Sequence, residues 1–324
     1  GTGHSLAALR GVCDEAGGCT REDASVEKAF RSLADSFGDG TSSYVDDALL
    51  DDSADGIAAD IDSATFDADQ HQQSFVDESA AKTYSTGGDH LYLLLDVETT
   101  GLSRTSHITQ IAAKFLGDDE LFSRYVLPPV ELSPKIEELT GITNDFLRSG
   151  GVDPATGLRL EGPAPDFAHV YGQLCDFVRR GSRGTGKPVC LVAHNAPFDV
   201  RMLDAEIRRL ARSARRNDGG GRDKGAAAVP DLSADSGIVS SLDTLAMFRN
   251  KRLWASAARP DLSAPKSFGL GDVYYHIHRE PINNAHNAGG DVNALEEILL
   301  SFSTEDWEGL AEQLIKPYVS LAPP

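Results

Sequence analysis

One stretch in the first third of the chain constrains the fold more than any other. An apolar run over residues 91–95 leads directly into two carboxylates, Asp96 and Glu98, and a Thr-Thr-Gly turn follows. A continuous apolar run that ends in a turn signal is typical of a strand buried on both faces. Because side chains alternate along a strand, Asp96 and Glu98 project from the same face at its end.

Two carboxylates at the edge of a core repel each other, and each loses hydration on burial. A divalent cation relieves both costs, since Mg²⁺ and Mn²⁺ prefer carboxylate oxygens as ligands. The alternative is a solvated strand end that carries two acids by chance, because a short Asp-x-Glu match is common. Taken alone, this stretch leaves both interpretations open.

From residue 90 onward, strand and helix signals alternate along the chain. Strands are predicted over residues 91–98, 108–116, 121–127, 188–193 and 238–242, and helices over 133–139, 166–180, 197–212, 245–253, 267–277 and 291–301. A Gly/Pro loop is predicted over 149–164 and a flexible insertion near 213–236. The fold predicted is α/β, a mixed sheet made of a three-strand antiparallel meander plus parallel strands and flanked by helices on both faces.

Two further parts of the sequence place carboxylates where elements begin. Asp199 opens the helix after the strand at 188–193, in the run His194-Asn195-Ala196-Pro197-Phe198-Asp199. His286 and Asp291 stand five residues apart at the start of the last predicted helix. Together with Asp96 and Glu98, these acids make a set of hard oxygen ligands.

In this order the motifs resemble the DEDDh branch of the DnaQ-like 3′→5′ exonucleases. The resemblance covers about residues 90–302 and includes the Leu-Thr-Gly-Ile-Thr segment at 139–143. It implies an RNase H-like fold and metal-dependent removal of nucleotides from 3′ ends. The tyrosine branch of the family carries Tyr four residues before the last Asp, a position that Asn287 occupies here.

The resemblance also implies a role for each motif residue. Two ions, Mg²⁺ or Mn²⁺, would be held by Asp96, Glu98, Asp199 and Asp291, and His286 would be the general base. The terminal nucleotide would contact Thr99, Thr100, Leu102 and Asn195. Physical chemistry agrees, because two metals about 3.5–4 Å apart stabilise both the attacking and the leaving oxygen, and an imidazole with a pKa near neutrality can accept the proton of a water.

Several of these residues also have a structural interpretation. Asp291 fits a helix N-cap, which is compatible with a ligand role. His286 alone is typical of a surface residue, and the adjacent Gly289-Gly290 predicts a mobile loop that would let it move toward substrate. His194 and Asp243 are predicted to support the site, and His276 and His278, which face apart on a helix, are interpreted as structural.

Two groups of basic residues are candidates for contact with a phosphate backbone, and a solvated helix face is the alternative for each. They are Arg208, Arg209, Arg212, Arg215, Arg216, Arg222 and Lys224, and then Arg249, Lys251 and Arg252.

The net charge of −20 is concentrated in the N-terminal part of the 324 residues. Residues 1–89 contain 19 Asp/Glu and 5 Lys/Arg, a net −14, so residues 90–324 carry only −6. This composition predicts an acidic, mostly disordered or loosely packed region over 1–89, followed by an exonuclease domain over 90–324.

Within the acidic region, one pattern predicts a short helix that packs on the neighbouring domain. The alternatives are a partner-binding helix or an acidic arm that mimics nucleic acid over the active site. The pattern consists of Val26, Phe30, Leu33 and Phe37 after a possible N-cap at Ser25.

Four cysteines in so long a chain do not predict a disulfide framework. Cys175 and Cys190 lie in apolar segments and are predicted to be core thiols, and Cys13 and Cys19 are not expected to pair. No apolar run has the length of a membrane span, so contact with a membrane is not expected. The reduced cysteines favour an intracellular location.

The sequence therefore predicts an enzyme that hydrolyses phosphodiester bonds at the 3′ end of single-stranded DNA and releases nucleoside 5′-monophosphates, with DNA favoured slightly over RNA. The alternatives are an oligoribonuclease-like or RNA 3′-trimming activity, and a catalytically silent nucleic-acid-binding module. The complete set of five motif residues argues against the silent module. The expected partners are single-stranded 3′ ends, and a protein that binds the N-terminal arm is a further candidate.

Overall fold

The computed structural model describes residues 89–154, 156–217, 230–255 and 263–318. The predictions for residues 1–88, including the helix around Phe30 and the cysteines Cys13 and Cys19, lie outside the described residues. The centre of the predicted insertion, residues 218–229, also lies outside them.

A six-stranded mixed sheet organises the described residues. The strands are β1 (Leu91–Thr99), β2 (Ile108–Phe115), β3 (Leu121–Tyr125), β4 (Gly151–Val152), β5 (Arg159–Leu160), β6 (Val189–Ala193), β7 (Ile238–Asp243) and β8 (Lys316–Pro317). The order across the main sheet is β3-β2-β1-β6-β7-β8, and β4 pairs with β5 in a separate hairpin. Strands β1 to β3 are antiparallel neighbours, β6 and β7 run parallel to β1, and β8 is antiparallel to β7. The predicted mixed sheet, with a three-strand antiparallel meander beside parallel strands, is confirmed.

Strand β1 lies at the centre of the sheet and is apolar on both faces, as its sequence predicts. Leu93 and Leu95 belong to one hydrophobic cluster and Leu94 to the other, and all three are fully buried. The strand extends beyond its last pairing with β6, at Leu94 and Val192, and this end, still paired with β2, carries Asp96 and Glu98. Those two side chains share the face of Leu94.

Helices cover both faces of the sheet, as predicted. They are α1 (Pro134–Thr140), α2 (Asn144–Ser149), α3 (Phe167–Ser182), α4 (Ala196–Asn217), α5 (Leu232–Ser236), α6 (Thr244–Phe248), α7 (Lys251–Ala255), α8 (Leu270–His278), α9 (Ala288–Leu300) and α10 (Thr304–Leu314). Side chains of α3, α4 and α5 pack on one face, and side chains of α6 to α10 pack on the other. No described helix is both long and apolar enough to cross a membrane.

Local sequence signals predicted several helix boundaries correctly. Helix α1 begins after Ser133, whose side chain accepts a hydrogen bond from the Ile136 amide, and it ends at Gly141 in the left-handed conformation. Helix α3 begins after Asp166, which caps it in the same way. Cys175, on α3, and Cys190 are buried free thiols, as predicted.

Other boundaries differ from the prediction. The single helix expected over 245–253 is two short helices, because the side chain of Asn250 accepts the backbone N–H of Arg252 and starts a new turn. The loop expected at 149–164 contains the β4–β5 hairpin, and the insertion expected at 213–236 contains the end of α4 and all of α5. The predicted helix at 267–277 begins only at Leu270, and the prediction missed α2, α10 and β8.

The expectation of a mobile loop at Gly289-Gly290 is wrong. Both glycines lie in the first turn of α9, which begins at Ala288, three residues before the predicted start. A Cβ on Gly290 would lie 2.4 Å from the carbonyl oxygen of Asn284. Gly290 therefore permits close backbone packing at the start of the helix.

Helix α9 is attached to β2 near its middle as well as at its start. Glu296 forms a buried ion pair with Lys114, and its Oε1 accepts the backbone N–H of Gly117 at 2.9 Å. Glu296 and Lys114 thus hold the helix along the strand.

Candidate active site

The end of β1 and the first turn of α9 bring three carboxylates together. Asp96, Glu98 and Asp291 each offer one oxygen, and these three oxygens lie within 4.8 Å of one another. Asp96 and Glu98 belong to this group because they are two residues apart on β1 and both side chains point to the face that α9 covers. Asp291 lies in the first turn of α9, whose N-cap is Asn287, so the cap role considered for Asp291 is not the one observed.

The fourth predicted acid, Asp199, approaches from the other face of the sheet; it lies outside the group of three oxygens but interacts electrostatically with Glu98 and Asp96. It lies in the first turn of α4 and is only 2% exposed. Its carboxylate accepts a hydrogen bond from the backbone of Val97, which stands between the two acids of β1. Its Oδ1 is buried and has no hydrogen-bond partner among the described residues.

Burial and mutual repulsion make these carboxyl groups hard to ionise. Burial raises the pKa of Asp96 to about 7. Burial, and then the charges of Asp96, Asp291 and Asp199, raise the pKa of Glu98 well above its usual value. The pKa values of Asp199 and Asp291 are raised by burial first and by the charge of Asp96 second. Among the described residues, burial and the mutual repulsion of these acids thus outweigh the hydrogen bonds that stabilise their charged forms.

This donor set fits a divalent cation. Four carboxylates supply hard oxygen ligands, and the buried, unpartnered Oδ1 of Asp199 is a polar atom that an ion would satisfy. A bound cation would also lower the pKa of each acid by stabilising its charged form. The cluster is thus a candidate metal-binding site.

His286 lies beside the cluster, at the end of the turn before α9. It is exposed and adopts a left-handed backbone conformation, with φ of 63°. The Asp291 carboxylate accepts a hydrogen bond from the His286 backbone, so the two predicted residues are in direct contact.

The turn after β1 contains three of the residues predicted to contact substrate. Thr99 uses its hydroxyl to donate to the carbonyl of Gly101 at 2.6 Å, and the Thr100 hydroxyl accepts the His107 amide at 3.0 Å. These side chains shape the turn, and Leu102 within it is only partly buried.

Two residues of α4 hold this turn in place. The Arg209 guanidinium donates to the carbonyl oxygens of Arg104 and Ser106 at 3.1 and 3.0 Å. Glu206 accepts the Ile108 amide at 3.1 Å and lies 3.0 Å from the His107 ring nitrogen. Arg209 was one of the candidates for contact with phosphate, with a solvated helix face as the alternative, and its hydrogen bonds within the protein indicate a structural role.

Asp243 and His194 support the turn that leads into α4. One oxygen of Asp243 accepts the amides of Asn195, Ala196 and Leu245 at 3.0, 3.4 and 3.0 Å. His194 donates through Nε2 to the Phe268 carbonyl at 2.8 Å, and burial lowers its pKa to about 4, so it stays neutral. Both contacts agree with the predicted supporting roles, and Asn195 itself is exposed with φ of 70°.

Positive charge next to the cluster comes from Arg201, which sequence reasoning did not single out. Its guanidinium lies 5.4 Å from the centre of the Phe198 ring, and its Nε is buried without a partner among the described residues. Of the predicted basic residues, Arg212, Arg249, Lys251 and Arg252 are exposed. The side chains of Arg215 and Arg216, and all of Arg222 and Lys224, lie outside the described part.

No family model matches the chain. Curated proteins named DNA polymerase III PolC-type are similar to part of it. The protein from Clostridium perfringens is 31% identical over 147 residues, and those from Thermotoga maritima and Bacillus subtilis are 32% identical over 130 and 126 residues.

These alignments cover 44%, 39% and 38% of this chain and 8%, 8% and 7% of the relatives. The chain thus matches less than a tenth of their length. Together with the ordered motifs, the matches confirm the resemblance to the DnaQ-like 3′→5′ exonuclease family.

Two solved structures are similar in outline. One is described as 3′-end specific recognition of histone mRNA stem-loop by 3′-exonuclease, and the other as full-length 3′-exonuclease. Each has a TM-score of 0.46 and 13% sequence identity and covers 74% of this chain, which aligns with 75% and 71% of the respective neighbour.

Proposed function

We propose that the chain is a metal-dependent 3′→5′ exonuclease that hydrolyses the terminal phosphodiester bond of single-stranded DNA and releases nucleoside 5′-monophosphates. The observation that carries the proposal is the meeting of Asp96, Glu98 and Asp291 at the end of β1, with Asp199 close enough to interact electrostatically with Asp96 and Glu98. The PolC-type relatives favour DNA because they are named DNA polymerases. Their polymerase activity is not proposed for this chain.

Two divalent cations, Mg²⁺ or Mn²⁺, held by the four carboxylates would supply the positive charge that stabilises the attacking and the leaving oxygen. The buried carboxylates hold their positions through the sheet and the two helix starts. Their displacement from water strengthens every electrostatic interaction in the site.

His286 is proposed to accept the proton of the attacking water. It is exposed at the edge of the acidic cluster, and it is fixed to Asp291 through its backbone. An imidazole at that position can take up the proton while the carboxylates are occupied by cations.

The turn after β1 is proposed to receive the terminal nucleotide. Thr99, Thr100 and Leu102 occupy this turn, and Asn195 begins the neighbouring one. Arg201 supplies a positive charge beside the same end of the sheet, which favours an anionic strand.

The test uses the full chain with single-stranded DNA and RNA oligonucleotides, each labelled at the 3′ or the 5′ end, in Mg²⁺, Mn²⁺ or EDTA. We expect stepwise shortening of DNA from the 3′ end, with release of nucleoside 5′-monophosphates, and no reaction in EDTA. An Asp199→Asn variant serves as the inactive control. Shortening that EDTA leaves unaffected, or internal cleavage, would contradict the proposal, and faster shortening of RNA would replace DNA with RNA as the substrate.

A further inference from the structure

A buried amide side chain connects β2 to the start of α9. Gln110 has no solvent exposure and pairs with Glu98 in the β1–β2 ladder. Its Oε1 accepts the backbone N–H of Ala288 at 3.1 Å, and its Nε2 donates to Oδ1 of Asn287 at 3.3 Å. The same Asn287 oxygen accepts the backbone N–H of Gly289 at 3.1 Å and so caps the helix.

This contact fixes the segment that carries two of the predicted site residues. His286 precedes Asn287 directly, and Asp291 follows it by one turn, with its backbone N–H bonded to the Asn287 carbonyl at 3.0 Å. Gln110 therefore links the strand position opposite Glu98 to the helical turn that presents Asp291.

A glutamine at this position is costly unless its hydrogen bonds are made. Its strand neighbours Thr109 and Ile111 are also fully buried, and an apolar residue at 110 would fill the same space without a polar group to satisfy. The amide instead meets a backbone N–H that, at the start of a helix, has no partner within the helix. Because the amide oxygen accepts a hydrogen bond and the amide nitrogen donates one, the contact specifies the position of the helix start.

We propose that Gln110, acting with Asn287, is a positioning residue that sets the place of Asp291 relative to Glu98 and keeps His286 at the edge of the acidic cluster. The effect on metal binding follows from the geometry alone. The effect on turnover rests on the proposed nuclease function.

The experiment compares the full-length wild type with Gln110→Met, which keeps the length of the side chain and removes both hydrogen bonds. We expect Mn²⁺ affinity, measured by calorimetry, to fall by about 10- to 100-fold, as for other residues that orient metal ligands. We expect kcat to fall with it while KM stays near the wild-type value, because the Gln110 side chain forms its hydrogen bonds with Ser123, Asn287 and Ala288 and not with the turn after β1. If Gln110 had a purely structural role, the substitution would lower the unfolding midpoint and leave Mn²⁺ affinity and kcat unaltered in the folded protein.

Ser123→Ala is the matched control. It removes the other acceptor of Gln110 Nε2, the Ser123 hydroxyl at 3.3 Å, and leaves the contacts to Asn287 and Ala288. This variant is expected to bind Mn²⁺ and turn over like the wild type. A loss equal to that of Gln110→Met would assign the effect to general loss of packing and would overturn the proposal.

A folded Gln110→Met protein with wild-type Mn²⁺ affinity and kcat would also overturn it. If Gln110→Met does not fold, the proposal is tested by comparing Asn287→Ala with Asn287→Asp. The aspartate keeps the side-chain oxygen that accepts hydrogen bonds from Gly289 and Gln110, and the alanine removes it. Greater loss of Mn²⁺ affinity in Asn287→Ala supports the proposal, and equal affinities overturn it. If the wild type shortens no oligonucleotide, the nuclease proposal fails, and the Mn²⁺ affinities still decide whether Gln110 positions the site.

Discussion

Three carboxyl groups meet at the end of β1 with a fourth, Asp199, nearby, although the charge of Asp96 raises the pKa of Glu98, Asp199 and Asp291. Such an arrangement lowers the stability of the protein without metal, because like charges are buried together. A cluster of this kind is retained when its charge serves a ligand or a reaction. Single substitutions in it should therefore change stability and activity in opposite directions.

Asp96→Asn is expected to raise stability and remove activity. Loss of one buried charge should raise the free energy of unfolding in EDTA by about 1 kcal/mol, in the range of mutations that relieve strain at functional sites. The rate of 3′ shortening should fall at least about 10²-fold, as when one preorganised charge contact is lost. Chemical denaturation and the oligonucleotide assay measure the two effects. Glu138→Gln, at an exposed acid on α1, is the control for a simple change in net charge.

His286→Ala is expected to separate binding from turnover. The variant keeps the four carboxylates, so Mn²⁺ affinity should stay close to that of the wild type. Turnover should fall by about 10²- to 10⁴-fold, the range found for loss of a general base. An unaltered kcat would remove His286 from the mechanism.

The stability of the metal-free protein should depend on pH through this cluster. The pKa of Asp96 is about 7 in the folded state, against an ordinary value of 3.8 for an aspartate, so the folded protein binds the proton more tightly. The resulting stability is fully present below about pH 4 and is lost as the pH rises toward 7.

We therefore expect the unfolding midpoint of the wild type in EDTA, relative to that of Asp96→Asn, to decrease from pH 4 to pH 7. Mg²⁺ should raise the wild-type midpoint more at pH 8 than at pH 5, because the cation competes with protons for the same oxygens. A pH-independent difference between the two proteins would contradict this account.

At the scale of elements, the turns that carry the acids are held by side chains at the strand ends. Asp243 ends β7 and accepts amides from both its own helix start and the turn before α4. The contact joins two neighbouring parallel strands at the edge where Asp199 enters the cluster. The same edge is where open α/β sheets place their ligands.

Asp243→Ala should lower the free energy of unfolding by about 2 kcal/mol, because three backbone N–H groups lose an acceptor. Asp243→Asn should recover most of that loss, since its carbonyl oxygen can accept the same N–H groups. Urea unfolding curves of the three proteins test this. Equal destabilisation by Ala and Asn would show that the charge, and not the acceptor geometry, holds the turn.

The elements were predictable wherever a local pattern dominates. The apolar run of β1, the caps Ser133 and Asp166 and the glycine after α1 act within a few residues, and the sequence shows them directly. The first residue of α9 depends on Gln110, 177 residues away from Asn287, and no local pattern contains that contact. A signal was present nonetheless, because Gln110 is a large polar residue directly before the apolar run at 111–113.

At the scale of the whole molecule, charge is separated along the chain. Residues 1–89 carry a net −14 and residues 90–324 a net −6. Both repel a phosphate backbone, so binding of nucleic acid depends on local positive groups such as Arg201 and Arg212.

Deleting residues 1–88 should therefore increase the affinity for short oligonucleotides at low salt. The gain should disappear as salt rises, because screening removes interactions beyond about 10 Å at 0.1 M. KM measured for both forms at several salt concentrations tests this. An identical KM at low salt would show that the acidic region does not oppose substrate binding.

The two attachments of α9 to β2 require a segment of strand and a segment of helix to have the same length. From Gln110 to Lys114 a strand advances about 13 Å, and from Ala288 to Glu296 a helix advances about 12 Å. The two lengths agree because four residue steps along a strand cover about the same distance as eight residue steps along a helix. A one-residue insertion or deletion in either span would turn one anchoring side chain away from its partner. The residue count of both spans should therefore tolerate far less variation than their amino-acid identities.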